Sequence, residues 1–170
     1  MTFSHFDQDG QAHMVDVSPK AVTLRSAVAQ AVVMMQPSTL EKIQQGGRDG
    51  ATGKGDVLGV ARLAGITAVK KTPDLIPLAH PLALHHISIR FDIDVESSRI
   101  VVNCSVKALE RTGVEMEAMV GASLAALTIY DMCKGVDRSI SVDDVALLYK
   151  DGGKSGVYRR QQDASSGDES

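Results

Sequence analysis

Apolar and polar residues alternate most regularly over residues 85–96, where Ile87, Ile89, Phe91, Ile93 and Val95 are spaced by polar side chains. A period of two places one set of side chains on a buried face, so the segment predicts a half-buried strand. Ser97 and Ser98 turn the chain into residues 99–110, RIVVNCSVKALE, a second strand and with the first a hairpin. The apolar run over residues 27–35 is read as a buried strand rather than a short helix, and residues 142–149 form the last strand.

Two longer segments carry helical spacing. Asp56 is placed to cap a helix in which positions 57, 60, 61, 64 and 68 are apolar, and Thr72-Pro73 ends it. Residues 114–134 hold few polar positions, which predicts a helix buried nearly all round and stopped by Gly135. A shorter helix, capped by Ser38, runs up to Gly46 and Gly47. The order strand, helix, strand, strand, helix, strand predicts an α+β, ferredoxin-like βαββαβ sandwich, an antiparallel sheet with its helices on one face.

A length of 170 residues with 44% hydrophobic content suits one domain, read as residues 1–158, followed by a polar, disordered tail over residues 159–170. Cys104 and Cys133 lie far apart without a CxxC spacing, so neither a zinc knuckle nor a disulfide framework is expected. No leader or membrane span is legible, and a cytoplasmic protein is the expectation. The 18 Lys and Arg against 21 Asp and Glu give a net charge of -3, with no field for nucleic acid. An anionic ligand must then be held locally.

Five places carry candidate chemistry. Lys54 lies in a glycine-rich loop ahead of a helix N-terminus, which suits a phosphate, although Arg48 and Gly55 stand where a Walker A loop needs Gly and Ser or Thr. Alone, it reads rather as a solvated lysine on a flexible surface loop. Pro81 holds His80 extended, fit to bind or shuttle a proton, or simply structural. Thr112 and Glu115 have capping-box spacing, whereas Glu117 is a carboxylate one turn inside an apolar helix, where it needs a specific reason. Asp131 and Lys134, three apart on one helix face, suit acid–base work by a partly buried lysine tuned by its neighbour. Lys154 in GGKSG reads as a phosphate clamp or a turn.

Glu117 and Asp131 are 14 residues apart, roughly 21 Å along one helix. If both act on one substrate, an antiparallel copy of this helix from a second subunit brings them together. Gly121, Ala125 and Thr128 lie along the same stripe and would permit close helix approach.

The segments AHMVDVS, KGDV, DLIPLAHPL, TGVEMEA, LTIYDMCK and GGKSG occur in the order and spacing of the molybdenum cofactor biosynthesis protein C family, which the chain resembles over about residues 11 to 157. The resemblance implies a ferredoxin-like hexamer, a trimer of dimers, with substrate at the dimer interface. It implies conversion of (8S)-3',8-cyclo-7,8-dihydroguanosine 5'-triphosphate, made by a radical SAM GTP cyclase, to cyclic pyranopterin monophosphate and pyrophosphate, with no cofactor and no metal. It assigns Asp131, Lys134 and Lys54 to catalysis. Leu78, Ala79, His80, Met116 and Glu117 are assigned to substrate binding, with Glu115 and Lys154 in support. The family commonly carries Cys before this histidine, so Ala79 implies that no thiol is essential. Two other readings remain: a non-catalytic oligomeric nucleotide-binding regulator, and a metal-dependent hydrolase using His80, His85 and His86.

Overall fold

The computed structural model describes residues 3–46, 55–154 and 156–161. In chain order the elements are β1 (Thr23–Met34), α1 (Pro37–Gly46), α2 (Val57–Val69), α3 (Thr72–Leu75), β2 (Leu84–Asp94), β3 (Arg99–Glu110), α4 (Glu115–Cys133), β4 (Ser141–Asp151) and β5 (Tyr158–Arg159). The strands form one antiparallel sheet in the order β2-β3-β1-β4-β5. The first four strands in that order give the ferredoxin-like α+β fold that the sequence predicts.

Alternation in β1 decides which face is covered. Ala27, Ala29, Ala31 and Val33 point under the helices and are fully buried, as are their partners Val106, Cys104, Val102 and Ile100 on β3 and Ala108, the partner of Arg25. These small β1 side chains let α4 lie close to the sheet. Gly121 of α4 sits where an added methyl would fall 2.6 Å from Cys104 Sγ. Gly65 of α2 would place one 2.9 Å from the Gly121 carbonyl and 3.0 Å from Ala125. Helices α2 and α4 therefore meet backbone to backbone through small residues. This overturns the expectation that Gly121 and Ala125 serve a contact with a second subunit: both are buried against this chain's own α2 and sheet. Thr128 folds its hydroxyl back onto the Leu124 carbonyl at 2.7 Å.

The opposite sheet face carries His86, Ser88, Arg90, Asp92, Asn103, Ser105 and Lys107, a polar surface.

Several ends differ from the sequence reading. Helix α1 is capped from outside by Asp137, whose carboxylate accepts from Gln36 N at 2.9 Å and Thr39 Oγ1 at 3.0 Å, so Ser38 is not its cap. Thr72-Pro73 opens the short helix α3. Strand β5 takes Arg159 out of the expected tail and pairs it with Tyr149, while residues 162–170 lie outside the described residues. Among the described residues no helix is long and apolar enough to cross a membrane.

Candidate active site

A cavity of about 810 Å³ opens at the end of the sheet where β1 begins, β4 finishes and α4 starts. The register explains which side chains reach it. Arg25 shares the inward face of β1 with Ala27, and Lys150 pairs with Ala27 from β4, so both cations point to the helix side. Arg25 is 8% exposed and its guanidinium donates to the Glu110 carbonyl at 3.1 Å and the Arg111 carbonyl at 3.0 Å. Lys150 pairs with Glu115 at 2.8 Å. That contact replaces the capping box: the N-cap of α4 is Val114, with no side-chain cap.

Gly152, Gly153 and Lys154 line the same cavity. Gly152 and Gly153 have φ of 103° and 80°, in the left-handed region that suits glycine. A methyl at Gly152 would collide with the Leu24 carbonyl, and one at Gly153 with the Arg25 guanidinium. Lys154 follows at the rim, and the unassigned turn of the sequence reading is thus part of the cavity wall.

Five cationic side chains, Lys20, Arg25, Arg111, Lys150 and Lys154, face one carboxylate, Glu115. The cavity also holds Thr23, whose Oγ1 is the one buried side-chain polar atom among the described residues left without a partner. A buried hydroxyl without a hydrogen bond is costly, and the charge balance favours an anion that would accept from it. Sequence reasoning missed Lys20, Thr23, Arg25, Arg111 and Lys150. Arg25, on the buried face of an apolar strand, was the available signal; the β1–β4 register that adds Lys150 is not written in local sequence.

His80 is joined to the chain's N-terminal segment. Its Nε2 is 2.8 Å from the Val15 carbonyl, and residues 15–20 continue to the cavity, where Arg111 donates to the carbonyls of Ser18, at 2.8 Å, and Lys20. Leu78, Ala79 and His80 are half-buried in the loop between α3 and β2. Met116 is exposed on the first turn of α4, whereas Glu117 is 4% exposed. Burial pushes the Glu117 carboxyl up to about 7; its own backbone N–H pulls the other way, and the Glu115 charge adds to the rise.

Asp131 and Lys134 occupy the opposite end of α4. They pair with each other at 2.6 Å, and their side chains are 67% and 56% exposed. The expected partly buried lysine is therefore not found in the single chain. Hydrogen bonding to Asp131, together with its charge, raises the Lys134 pKa and holds the ammonium form. The helix runs unbroken between the two ends, and the 16 residues from Glu115 to Asp131 span about 24 Å. One chain thus keeps its basic cavity and its Asp131–Lys134 pair apart. Lys54 lies outside the described residues.

Among the described residues no three His, Cys, Asp or Glu side chains converge into a metal-binding group, so His80, His85 and His86 do not form the cluster that the hydrolase reading needs.

A profile of the MoaC family matches residues 14–153. The chain belongs to the MoaC family. It is 64% identical over 163 residues to a protein of Geotalea uraniireducens named cyclic pyranopterin monophosphate synthase, covering 96% of this chain and 99% of that protein. A protein of the same name from Pelobacter propionicus is 64% identical over 162 residues, covering 95% and 99%. One from Mycobacterium tuberculosis strain H37Rv, named cyclic pyranopterin monophosphate synthase 1, is 52% identical over 160 residues, covering 94% and 91%. Structural comparison gives a TM-score of 0.31 and 12% identity to a chain from a ferredoxin protease FusC structure, covering 69% of this chain and 11% of that one.

Proposed function

We propose that this MoaC-family chain is a lyase of molybdenum cofactor biosynthesis that converts (8S)-3',8-cyclo-7,8-dihydroguanosine 5'-triphosphate to cyclic pyranopterin monophosphate and pyrophosphate. Its near full-length likeness to proteins named for that product supports the reading. The structural observation that carries it is the basic cavity at the start of α4, with five cations and the unpartnered Thr23 hydroxyl. A triphosphate is the part of the substrate that needs such a wall.

Cyclisation forms a bond from a sugar-derived oxygen to the α-phosphorus and breaks the bond from that phosphorus to the bridging oxygen, so pyrophosphate leaves carrying new charge. Cations already fixed around the leaving group stabilise that charge without reorganising. Arg25 is suited to this, being buried and held by two carbonyls. Opening the guanine-derived ring and closing the pterin require proton transfers, which we assign to Asp131, Lys134 and Lys54, with His80 also moving a proton. Leu78, Ala79, Met116 and Glu117 contact the substrate, and Glu115 and Lys154 frame its phosphates.

Since α4 separates the cavity from Asp131 and Lys134, a complete site needs two chains. We assign the protein as a homohexamer, a trimer of dimers, in which the partner subunit's Asp131 and Lys134 close the cavity. Leu127, 50% exposed one turn before Asp131, and Leu63, 68% exposed on α2, are apolar surface available for such a contact. A cytoplasmic setting, downstream of the radical SAM GTP cyclase, fits two buried free cysteines. A non-catalytic nucleotide-binding regulator is not favoured. The test is incubation with the cyclised GTP intermediate: pyrophosphate and a pterin chromophore are expected, and binding without product would overturn the proposal.

A further inference from the structure

His80 and Val15 meet through a single hydrogen bond, 2.8 Å from Nε2 to a main-chain carbonyl. A carbonyl oxygen only accepts, so the nitrogen facing it must carry the proton. In a neutral imidazole the other nitrogen then carries the lone pair. Among the described residues no group bonds to His80 Nδ1.

Both partners are anchored independently of this contact. The backbone at His80 is held extended by Pro81, and Ala79 N closes a turn onto the Ile76 carbonyl at 3.0 Å. Val15 begins a segment with its own turn, in which Ser18 N donates to Asp16 Oδ1 at 2.8 Å and Lys20 N to the Val17 carbonyl at 3.0 Å. Arg111 then ties that turn to the body through the Ser18 and Lys20 carbonyls. Pro19, Lys20 and Ala21 of the same segment line the basic cavity. One strap therefore both walls the anion site and holds the histidine ring.

We infer that the Val15 carbonyl is a positioning group that fixes His80 as its Nε2–H tautomer and makes Nδ1 the atom that accepts a proton from the bound nucleotide. The inference rests on the assignment of His80 to the active site given above. On transfer, a substrate O–H or N–H gives its proton to Nδ1 and the ring becomes an imidazolium. Its Nε2–H stays on the carbonyl. The reverse transfer from Nδ1 restores the neutral ring, so no other reactant is consumed.

The first measurement is independent of turnover. Two-bond ¹H–¹⁵N correlations on the histidine-labelled full chain, at a pH where the ring is neutral, should give the Nε2–H pattern at His80. The Nδ1–H pattern, or the averaged pattern of a free ring, would overturn the inference. Two variants supply the second measurement. A glutamine amide nitrogen can occupy the position of Nε2 and donate to Val15, but offers no base at the position of Nδ1. His80→Gln should therefore keep the hydrogen-exchange protection of the Ser18 and Lys20 amides and a KM within about threefold of wild type, with kcat down on the order of a hundredfold. His80→Ala should lose kcat and also raise KM, because it removes the donor to Val15 on the strap that walls the cavity, while the Ser18 and Lys20 amides, anchored through Asp16, Val17 and Arg111, keep their protection. Wild-type kcat in His80→Gln alone would remove the role of Nδ1. Wild-type kcat in both variants would remove His80 from the active site altogether, whatever the tautomer.

Discussion

Replacing Glu117 by Gln keeps the shape of a side chain that is 4% exposed and removes its charge. Burial, more than the neighbouring Glu115 charge, raises the Glu117 pKa from 4.5 to about 7. Between those two values the folded chain binds more protons at this position than the unfolded chain does, so the unfolding free energy falls as pH rises. The contribution is fully present below pH 4.5 and is lost by the time the pH passes 7. At about 1.4 kcal/mol per pH unit across that window, the loss reaches at most about 3 kcal/mol. Glu117→Gln has no proton to lose. The stability difference between variant and wild type should stay flat in acid and grow in favour of the variant towards pH 8. Urea unfolding of both proteins across this range, at one fixed protein concentration, measures the difference and cancels groups common to both. A difference that does not change with pH would refute the buried, proton-holding Glu117.

Three further substitutions test the packing and the cavity. Gly153→Ala pushes a methyl into the Arg25 guanidinium, so KM for the triphosphate should rise about tenfold in steady-state pyrophosphate release, with the fold intact by circular dichroism. Gly65→Ala places its methyl against the Gly121 carbonyl and Ala125 and should cost about 1–3 kcal/mol of stability in denaturant titration. Asp137→Ala strands the donors of Gln36, Thr39 and Ser139 and should lower Tm, an effect that thermal unfolding reads directly. The Asp137 carboxyl is pulled down to about 2, chiefly by the Ser139 hydroxyl and the Gln36 backbone N–H. Its contribution should persist above pH 4 and fade as pH falls towards 2.

Strand and helix positions were legible because local periodicity reports which side of an element is covered. The alternation around Ile87 to Ile93 and the apolar length of α4 needed no tertiary information. What escaped was set by partners distant in sequence. Asp137 caps α1 across the chain, so a search for a local cap settles on Ser38 instead. Glu115 has capping-box spacing and pairs with Lys150, 35 residues away. The Gly121–Ala125 stripe was recognisable as a close-packing surface, but composition does not say whether the surface packs within the chain or between chains; it packs on α2. Asp131 and Lys134 were visible as a pair, while their exposure depends on what else covers the end of α4. The basic cavity was half legible, through Lys154 and Glu115. Its buried members, Arg25 and Lys150, meet only through the register of β1 and β4.

A reaction centre built from the cavity of one chain and the Asp131–Lys134 pair of another is the claim on which the rest turns. Subunit complementation tests it most directly. Lys134→Ala and Lys154→Ala proteins, each expected to lose pyrophosphate release when assayed alone, are unfolded together, refolded as mixed oligomers and assayed. Sites shared between chains predict that activity returns in the mixture, because some sites then receive both intact lysines. A mixture as inactive as either parent, with mixed oligomers demonstrated, would contradict it.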